Sequence, residues 1–170
     1  MRTFRQRLEY YIGDLVYGAN DGIITTFAVI SGAAGAGFSA HIIIVLAIAN
    51  IIADGFSMGA SKYLSLKSEQ SVAKAGSEKR NPIKDGTATF VAFVIAGTLP
   101  LIPFLIPGAS AHAFLVSAIA TGVTFFIVGA ARSLVIKKHF LIAGLEMLIV
   151  GGVASIIAYG LGSWVEALIR

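Results

Sequence analysis

The sequence predicts an all-α, polytopic membrane protein that crosses the bilayer five times. Hydrophobic residues make up 56 % of the 170 positions and charged residues only 13 %, which is too little charge to cover a soluble domain of this length. The apolar residues form continuous runs without apolar/polar alternation, so membrane strands are a poor interpretation. Basic residues fall almost entirely on alternate connections between those runs, as they do in multi-pass membrane proteins.

Five runs are each long enough to span about 30 Å of hydrocarbon, which takes roughly 20 helical residues. They form one transmembrane domain over residues 1–170 and lie at about 15–38, 41–64, 85–106, 111–136 and 140–168. Short turns are expected around 35–40, 107–110 and 137–139. Pro100 and Pro103 should bend the outer half of the third span, because proline removes a backbone donor and clashes with the preceding turn.

Only the connection at about 65–84 is polar over any length. Its charged residues include Lys67, Glu69, Lys74, Glu78, Lys79 and Arg80. We expect this cytosolic connection to continue the second helix for part of its length and to break at Pro82, because the residue before a proline disfavours the helical conformation.

The distribution of Lys and Arg predicts the orientation of the chain. Twelve of the 13 basic residues lie at the N-terminus, in the 65–84 connection with its flanks, or near the 137–139 turn. Only Arg170 lies on the other side. The positive-inside rule then places the N-terminus in the cytosol and the C-terminus outside, which requires an odd number of spans. The same distribution accounts for the net charge of +4 without a nucleic-acid partner.

The sequence argues against an enzyme and against a resident cofactor. It contains no cysteine, which excludes disulfides, iron–sulfur clusters and thiolate zinc sites within the chain. The glycine-rich GAAGAG at 32–37 has no preceding strand, so it is not a nucleotide-binding loop, and no nucleophile elbow, HExxH or Walker motif is present. The basic N-terminus, MRTFRQRLEYYIGD, does not resemble a cleaved signal peptide.

The second span contains an acid whose placement in the bilayer is energetically unfavourable. Asp54 is near the middle of IIIVLAIANIIADGFSMGASKYL (42–64), four residues after Asn50 and four before Met58. A carboxylate at that depth costs about 2.5–3.5 kcal/mol on insertion scales, and a protein that keeps one usually uses it on an ion or proton pathway. Residues spaced by four stack on one helix face, so an amide, a carboxylate and a thioether form one column. That set suits a divalent transition metal.

Two further acids, Asp21 and Glu146, lie inside predicted spans. Asp21 follows Asn20 and precedes a glycine that leaves room for a second helix or an ion, and Thr25 lies one turn later. Metal and proton would compete for the oxygens of such an acid, which is the physical basis of proton-for-metal exchange. Glu146 lies nearer the cytosolic end of the last span and is a candidate proton or metal relay.

A structural role is the competing interpretation for each of these residues. The acids would then pair with hydroxyls, amides or Arg132 and only hold the bundle together, and Glu146 in particular would bridge to Arg132. Met58 taken alone would be a packing residue, as most methionines in membrane helices are. Asp14, near the inner boundary of the first span, is expected to be solvated.

Four segments resemble the vacuolar iron transporter family. YGANDGIITTFAVISGAAGAG (17–37) and ANIIADGFSMGASKYLSLKSE (49–69) are similar to its first two helices. ATFVAFVIAGTLPLIPFLIP (88–107) and GLEMLIVGGVASIIAYGLG (144–162) are similar to its third and fifth helices. The resemblance therefore covers nearly the whole chain, and the NDG and SMG motifs at this spacing are its most specific part.

The resemblance implies a five-helix homodimer that moves Fe²⁺, and in many members Mn²⁺, out of the cytosol in exchange for protons. It implies a metal path at the dimer interface, with Asp21 in the place of the family's first-helix aspartate and Met58 in the place of its second-helix methionine. The metal is cargo, and the implied partners are a second copy of the chain, the lipid bilayer and the transported ions.

The chain departs from the family pattern in two ways. Many members have a glutamate two turns before the methionine, where this chain has Asn50, and here Asp54 supplies a carboxylate one turn further on, as in the bacterial branch. Plant and fungal members carry a long glutamate-rich cytosolic domain between helices 2 and 3. Here that connection is short and more basic than acidic. The short connection and the compact chain predict the plasma membrane of a prokaryote.

The sequence as a whole therefore predicts a proton-coupled exporter of Fe²⁺ and Mn²⁺. Asp21, Asp54 and Met58 are expected to line the path, with Asn50 assisting and Glu146 as a candidate relay. Two alternatives stay open: a Mn²⁺-selective or broad divalent-cation exporter, and a non-transporting membrane scaffold whose buried acids only fix helix packing.

Overall fold

A computed structural model of the chain describes residues 4–72, 80–106, 112–133 and 138–169. Within these ranges every regular element is helical: α1 (Phe4–Gly35), α2 (Ala40–Val72), α3 (Pro82–Thr98), a 3-10 turn (Leu99–Leu101), α4 (Ile102–Leu105), α5 (Ala113–Arg132) and α6 (Phe140–Ile169). Because α3, the 3-10 turn and α4 follow one another directly, the chain forms five helical stretches. The prediction of an all-α fold is confirmed for the described residues.

Four of these stretches are long and apolar enough to cross a membrane: α2, Pro82–Leu105, α5 and α6. Helix α1 has 32 residues, so its length also suffices, but polar residues such as Asn20 and Asp21 dilute its apolar run and it is not among the four. The prediction of a multi-pass membrane protein is confirmed, while the fifth crossing, by α1, stays a prediction.

Helix α1 ends in a turn of the Schellman type. The backbone N–H of Phe38 donates to the carbonyl of Ala33, and the N–H of Gly37 donates to that of Ala34, each at 3.0 Å. Gly37 has a φ of 71°, the left-handed conformation that glycine adopts without a steric cost. This turn reverses the chain within a few residues, so α2 returns antiparallel to α1.

The polar connection is partly helical, as the sequence predicts. Helix α2 continues as far as Val72, and the chain becomes helical again at Pro82. Asn81 caps α3, because its Oδ1 accepts from the backbone N–H of Lys84 at 3.1 Å, and Pro82 occupies the first turn, where a missing N–H costs nothing. Residues 73–79 of this connection and the predicted turn at 107–110 lie outside the described residues.

The predicted bend in the third span appears as a change of winding. Pro100 lies in the 3-10 turn and Pro103 in α4, so the regular α-helical hydrogen bonding ends at Thr98. The Ser117 hydroxyl on α5 donates to the carbonyl of Pro100 at 2.5 Å. This hydrogen bond satisfies a buried carbonyl in the irregular segment and fixes α5 against it.

Helix α1 is the central helix and packs against α2, α3, α5 and α6. One apolar cluster joins α1 to α2 and to the 3-10 turn and consists of Phe27, Ile30, Ala33, Ile43, Ala47, Ile51 and Leu101. A second joins α1 to α3, α5 and α6 and consists of Ile23, Ala96, Phe125 and Met147. The core therefore surrounds α1, and the residues near its middle are held from several sides.

Helices α1 and α2 both approach α3 closely enough for backbone contact. A Cβ atom on Gly22 would collide with the carbonyl oxygen of Phe93. A Cβ on Gly59 would lie 2.8 Å from the carbonyl oxygen of Gly86, and one on Gly86 would lie 2.6 Å from that of Gly59. Such contacts are typical of membrane helices, where small residues let two backbones meet. Helix α3 therefore holds α1 and α2 at fixed positions beside each other.

Candidate functional site

The predicted column on α2 lies at the edge of the packed surface of that helix. Asn50, Asp54 and Met58 are each half-buried, whereas Ile51 and Gly55 are fully buried. Residues on the opposite side of the column, such as Ala53 and Ser57, are exposed. The three polar or soft side chains thus line the boundary between the core and the open face of α2.

Asp21 on α1 is the acid that the structure brings together with Asp54. Asp21 is half-buried, and the two carboxylates are close enough for their charges to act on each other. The hydroxyl of Thr25 donates to the backbone carbonyl of Asp21 at 2.9 Å, so its proton is used by the helix and not by the carboxylate. Two acids that are 33 residues apart in the sequence therefore lie within electrostatic range of each other across the α1–α2 contact, and we call them the Asp21–Asp54 pair.

No cation among the described residues forms an ion pair with either of these acids. In the part of the chain that the structure describes, the ion pairs involve Asp14, Asp85 and Glu146, and neither Asp21 nor Asp54 takes part in one. Like charges that are close together and partly removed from water destabilise each other. The pair is therefore stabilised by any cation, or proton, that enters from outside.

Amide groups beside the two acids also lack partners. The Oδ1 of Asn20, adjacent to Asp21, and the Nδ2 of Asn50, one turn from Asp54, are buried without a hydrogen bond. Buried polar atoms in proteins nearly always have a partner, so these two unpaired amide atoms need an explanation. A side-chain amide can turn its oxygen towards a cation, and we regard both as potential ligands.

The described residues of one chain supply only part of a conventional set of metal ligands around Asp21 and Asp54. Among the described residues, no three His, Cys, Asp or Glu side chains lie close enough together to bind one ion. Divalent metals in proteins take four or more ligands, some of which are water. A site centred on Asp21 and Asp54 would therefore need other donors, such as Asn50 and Met58, or ligands from a second copy of the chain.

Glu146, the candidate relay near the cytosolic end of the last predicted span, pairs with a different cation from the one that the sequence suggested. Its side chain is 40 % exposed in the second turn of α6, and its Oε1 is 2.6 Å from the Nζ of Lys138. Arg132, the bridging partner expected from the sequence, acts on it only at longer range. The reason is local, since Lys138 just precedes α6 and reaches back over its first turns. Glu146 is a surface ion pair near a helix end.

The expectation that Asp14 is solvated is wrong. Its side chain is only 8 % exposed; its Oδ1 lies 2.8 Å from the Nζ of Lys62, and Arg80 contacts its Oδ2 through Nη2. The α2–α3 connection brings Arg80 back to α1, which the sequence alone does not indicate. Two cations offset the cost of removing this carboxylate from water.

Asp85 is a charged residue that sequence reasoning missed. It is 0 % exposed, its Oδ2 accepts from the Nε of Arg80 at 2.7 Å, and its Oδ1 is buried without a partner. In the sequence it looks like an ordinary acid in the first turn of a helix, where the helix dipole favours negative charge. The available signal was Arg80, five residues earlier, on the other side of the Asn81 cap.

Arg80 remains charged at this position. Burial alone would lower the pKa of Arg80, but the carboxylates of Asp14 and Asp85 outweigh burial and raise the pKa above its ordinary value. The guanidinium also lies over the ring of Tyr10, 4.8 Å from its centroid. Arg80 therefore places a positive charge between α1 and α3.

Comparison with known proteins identifies relatives over most of the chain. The profile of the VIT family matches residues 12–80 and 74–163. A vacuolar iron transporter of Toxoplasma gondii is 23 % identical over 228 aligned positions, which cover 94 % of this chain and 76 % of the relative. Vacuolar iron transporter 1 of Arabidopsis thaliana is 22 % identical, with coverage of 91 % and 86 %. A vacuolar iron transporter of Plasmodium falciparum is 43 % identical over 51 residues, 30 % of this chain and 19 % of the relative.

The apolar helices and the acids between them define a multi-pass membrane protein. The matched segments extend from residue 12 to residue 163 and include α1, α2 and α3, which carry the acid pair and its supports. The chain belongs to the VIT family, and the resemblance seen in its NDG and SMG motifs is confirmed.

Proposed function

We propose that this protein transports divalent metal ions, Fe²⁺ and also Mn²⁺, out of the cytosol in exchange for protons. The observation that carries the proposal is the Asp21–Asp54 pair, two half-buried carboxylates within electrostatic range of each other that form no ion pair with any cation of the described residues. Membership of the VIT family, and relatives named vacuolar iron transporter, favour iron as the cargo. Transport, not covalent catalysis, is the proposed activity.

The ligands proposed for the metal differ in chemical type. Asp21 and Asp54 supply hard carboxylate oxygens, Asn50 supplies an amide, and Met58 supplies a thioether one turn from Asp54. A thioether favours Fe²⁺ over Mg²⁺ or Ca²⁺, which prefer oxygen ligands. Protons and metal compete for the same carboxylates, so loading with one releases the other. That competition is the proposed coupling between the two ions.

We propose a homodimer in which α2 faces its counterpart in a second copy. The exposed face of α2 carries a row of small residues spaced by four: Ala49, Ala53, Ser57 and Ser61. Rows of small residues let membrane helices approach closely. This row lies beside the Asn50–Asp54–Met58 column, so a two-fold contact there would double the acids and supply the ligands that one chain lacks.

The proposed arrangement in the membrane has the N-terminus in the cytosol and the C-terminus outside. It requires α1 to be a fifth crossing, and the central position of α1 among the apolar helices supports this. The short α2–α3 connection favours a plasma membrane of a prokaryote, because the cytosolic domain of plant and fungal members has no counterpart there.

Flux into proteoliposomes tests the transport proposal directly. Under a pH gradient, wild-type protein should move Fe²⁺ and Mn²⁺ with a counterflow of protons, compared in one panel with Co²⁺, Zn²⁺ and Ca²⁺. Asp21→Asn should reduce the flux to that of protein-free liposomes. Glu69→Gln, which removes an exposed carboxylate of α2, is the matched control and should retain flux.

The panel also separates the alternatives. Flux of Mn²⁺ without Fe²⁺ would establish the Mn²⁺-selective exporter, and equal flux of all five ions would establish the broad one. A non-transporting scaffold would move none of them, and Asp21→Asn would instead lower stability and assembly.

Disulfide cross-linking tests the dimer separately, because the chain has no native cysteine. Ala53→Cys should give a covalent dimer on mild oxidation in the membrane. Ile119→Cys, on an exposed face of α5, should not. The reverse pattern would place the contact between copies on another helix.

A further inference from the structure

A second group of charged residues lies where α1, α2 and α3 meet, at the end of the bundle that carries the α2–α3 connection. Arg80 contacts Asp14 on α1 through Nη2 and Asp85 on α3 through Nε, the latter at 2.7 Å. Lys62 on α2 lies 2.8 Å from Asp14. We call Asp14, Lys62, Arg80 and Asp85 the mouth cluster. One guanidinium thus joins two buried carboxylates on different helices.

The mouth cluster continues the two helix faces that carry the candidate path. Lys62 follows Met58 by four residues on α2, so it is the next member of the Asn50–Asp54–Met58 column. Asp14 precedes Asp21 by seven residues on α1, which is about two turns along the same face. An ion that leaves the Asp21–Asp54 pair towards this end of the bundle therefore meets the mouth cluster next.

Burial divides the mouth cluster into fixed and movable partners. The side chains of Asp14 and Asp85 are 8 % and 0 % exposed, whereas those of Lys62 and Arg80 are 26 % and 32 % exposed. Both acids are short and sit on packed helices. Both cations are long and reach water, so either can turn away without leaving its charge buried. The carboxylates can therefore change partners while the helices stay in place.

Asp85 retains an unused ligand atom inside this cluster. Its Oδ2 is bonded to Arg80, but its Oδ1 is buried and has no hydrogen-bond partner. A carboxylate oxygen removed from water without a partner is unfavourable, and the single charge of Arg80 is already shared with Asp14. The two acids together thus offer more oxygen ligands than the guanidinium uses.

We propose that Asp14 and Asp85 form a divalent-cation site at the cytosolic mouth, which Arg80 occupies as a tethered cation when metal is absent. A divalent ion brings twice the charge of the guanidinium to the same oxygens and can also engage the free Oδ1 of Asp85. Arrival of metal releases Arg80 to water, and departure of metal lets Arg80 return. The identity of the cation rests on the proposed transport function.

The two sites would differ in what they select. The mouth cluster offers only carboxylate oxygens, which bind Mn²⁺, Fe²⁺ and Mg²⁺ without strong preference. The thioether of Met58 lies one turn further along the column. Entry of an ion at the mouth cluster would therefore depend on its charge. Selection of one metal over another would take place at Met58.

Binding of Mn²⁺, measured by electron paramagnetic resonance on detergent-purified protein without any gradient, tests the mouth site. All proteins carry Asp21→Asn, which weakens the inner site so that the mouth site dominates. In this background Arg80→Gln should tighten Mn²⁺ binding about tenfold, the order expected when one competing charge is removed near a protein surface. Adding Asp85→Asn to Arg80→Gln should abolish that gain.

Lys67→Gln is the matched control. It removes an exposed cation from the same end of α2 and should leave Mn²⁺ binding unchanged. Arg80→Lys serves if Arg80→Gln does not fold, since it keeps the charge but cannot bond both carboxylates at once. It should tighten Mn²⁺ binding by a smaller factor. Unchanged or weaker Mn²⁺ binding in folded Arg80→Gln or Arg80→Lys protein would overturn the proposal, as would an equal gain in Lys67→Gln.

The Mn²⁺-binding measurement and the flux assay test the two proposals independently, so either proposal can be overturned without the other. If wild-type protein moves no metal but Arg80→Gln tightens Mn²⁺ binding, the mouth site stands and the transport proposal falls. If wild-type protein transports metal but Arg80→Gln leaves Mn²⁺ binding unchanged, Arg80 is only a structural cation between α1 and α3.

Discussion

Two pairs of acids, Asp14–Asp85 and Asp21–Asp54, each include one residue from the same face of α1, but they differ in burial and in their partners. Asp14 and Asp85 are almost completely buried, and the protein supplies cations to them at ion-pair distance. Asp21 and Asp54 are only half-buried, they act on each other, and no cation of the described chain pairs with them. The more buried pair is neutralised from within, and the more accessible pair is not.

The role of an acid inside a membrane protein depends on the charges beside it as well as on its depth. Depth alone marks an acid as costly, but its partners indicate its role. An acid with an internal cation contributes to the joining of helices, because both charges must stay together when they leave water. An acid without one is stabilised by an ion that the protein does not contain. The Asp21–Asp54 pair belongs to the second kind, and this is why we place the cargo there.

The largest effect on metal flux is expected from a substitution that places a cation beside the Asp21–Asp54 pair. Met58→Lys places an ammonium one turn after Asp54, in the orientation that favours an acid–lysine pair on a helix. The substituted chain should fold, because lysine and methionine have similar length and position 58 is half-buried. Metal flux in proteoliposomes should fall to background, since the tethered ammonium occupies the place of the metal.

Met58→Leu is the control for this substitution. It removes the thioether without adding charge, so flux should persist while the preference for Fe²⁺ over Ca²⁺ decreases. Flux in Met58→Lys equal to that of wild type would show that the column does not face the path. An unchanged metal preference in Met58→Leu would reduce Met58 to a packing residue.

A smaller effect, on the stability of the fold, is expected when the Asp14–Asp85 pair loses one of its two carboxylates. Asp85→Asn leaves Arg80 without one of its two buried carboxylate partners and should lower the free energy of unfolding by about 1–3 kcal/mol. The loss is less than for a fully buried ion pair, because Arg80 is one-third exposed and can turn to water. Thermal melting in detergent measures it, with Glu69→Gln as a control that should change stability by about 0.5 kcal/mol or less.

The smallest effect is expected at Glu146. Its ion pair with Lys138 is at the surface, where such pairs contribute little to stability. Glu146→Gln should therefore melt like wild type and keep most of its flux. If its flux instead falls as far as that of Asp21→Asn, Glu146 is the proton or metal relay that its place in the sequence suggested.

Helices and their limits could be predicted from the sequence because they depend on local composition. The apolar runs, the interruption near Pro100 and the break in helical structure before Pro82 all follow from rules that involve a few neighbouring residues. The Asn50–Asp54–Met58 column could be predicted for the same reason, since a spacing of four fixes one face of a helix.

Contacts between distant segments could not be predicted in this way. Arg80 is 66 residues from Asp14, and only the path of the α2–α3 connection brings them together. Asp14 therefore looked solvated and Asp85 looked like an ordinary first-turn acid. The partner of Glu146 was not predicted either, because Lys138, and not the expected Arg132, is the basic residue that lies at ion-pair distance from it.

The backbone contacts of α3 have a mechanical consequence. Where Gly22 meets Phe93 and Gly59 meets Gly86, the helix backbones approach each other directly, so these contacts do not depend on a side-chain rotamer. Such joints resist both rotation and translation, so α1, α2 and α3 should move as one solid piece. A solid piece cannot open a passage within itself. Changes of access must then occur at a hinge between pieces, and the uncovered side of α2, which carries Phe56 at 70 % exposure, is the surface where such a hinge can form.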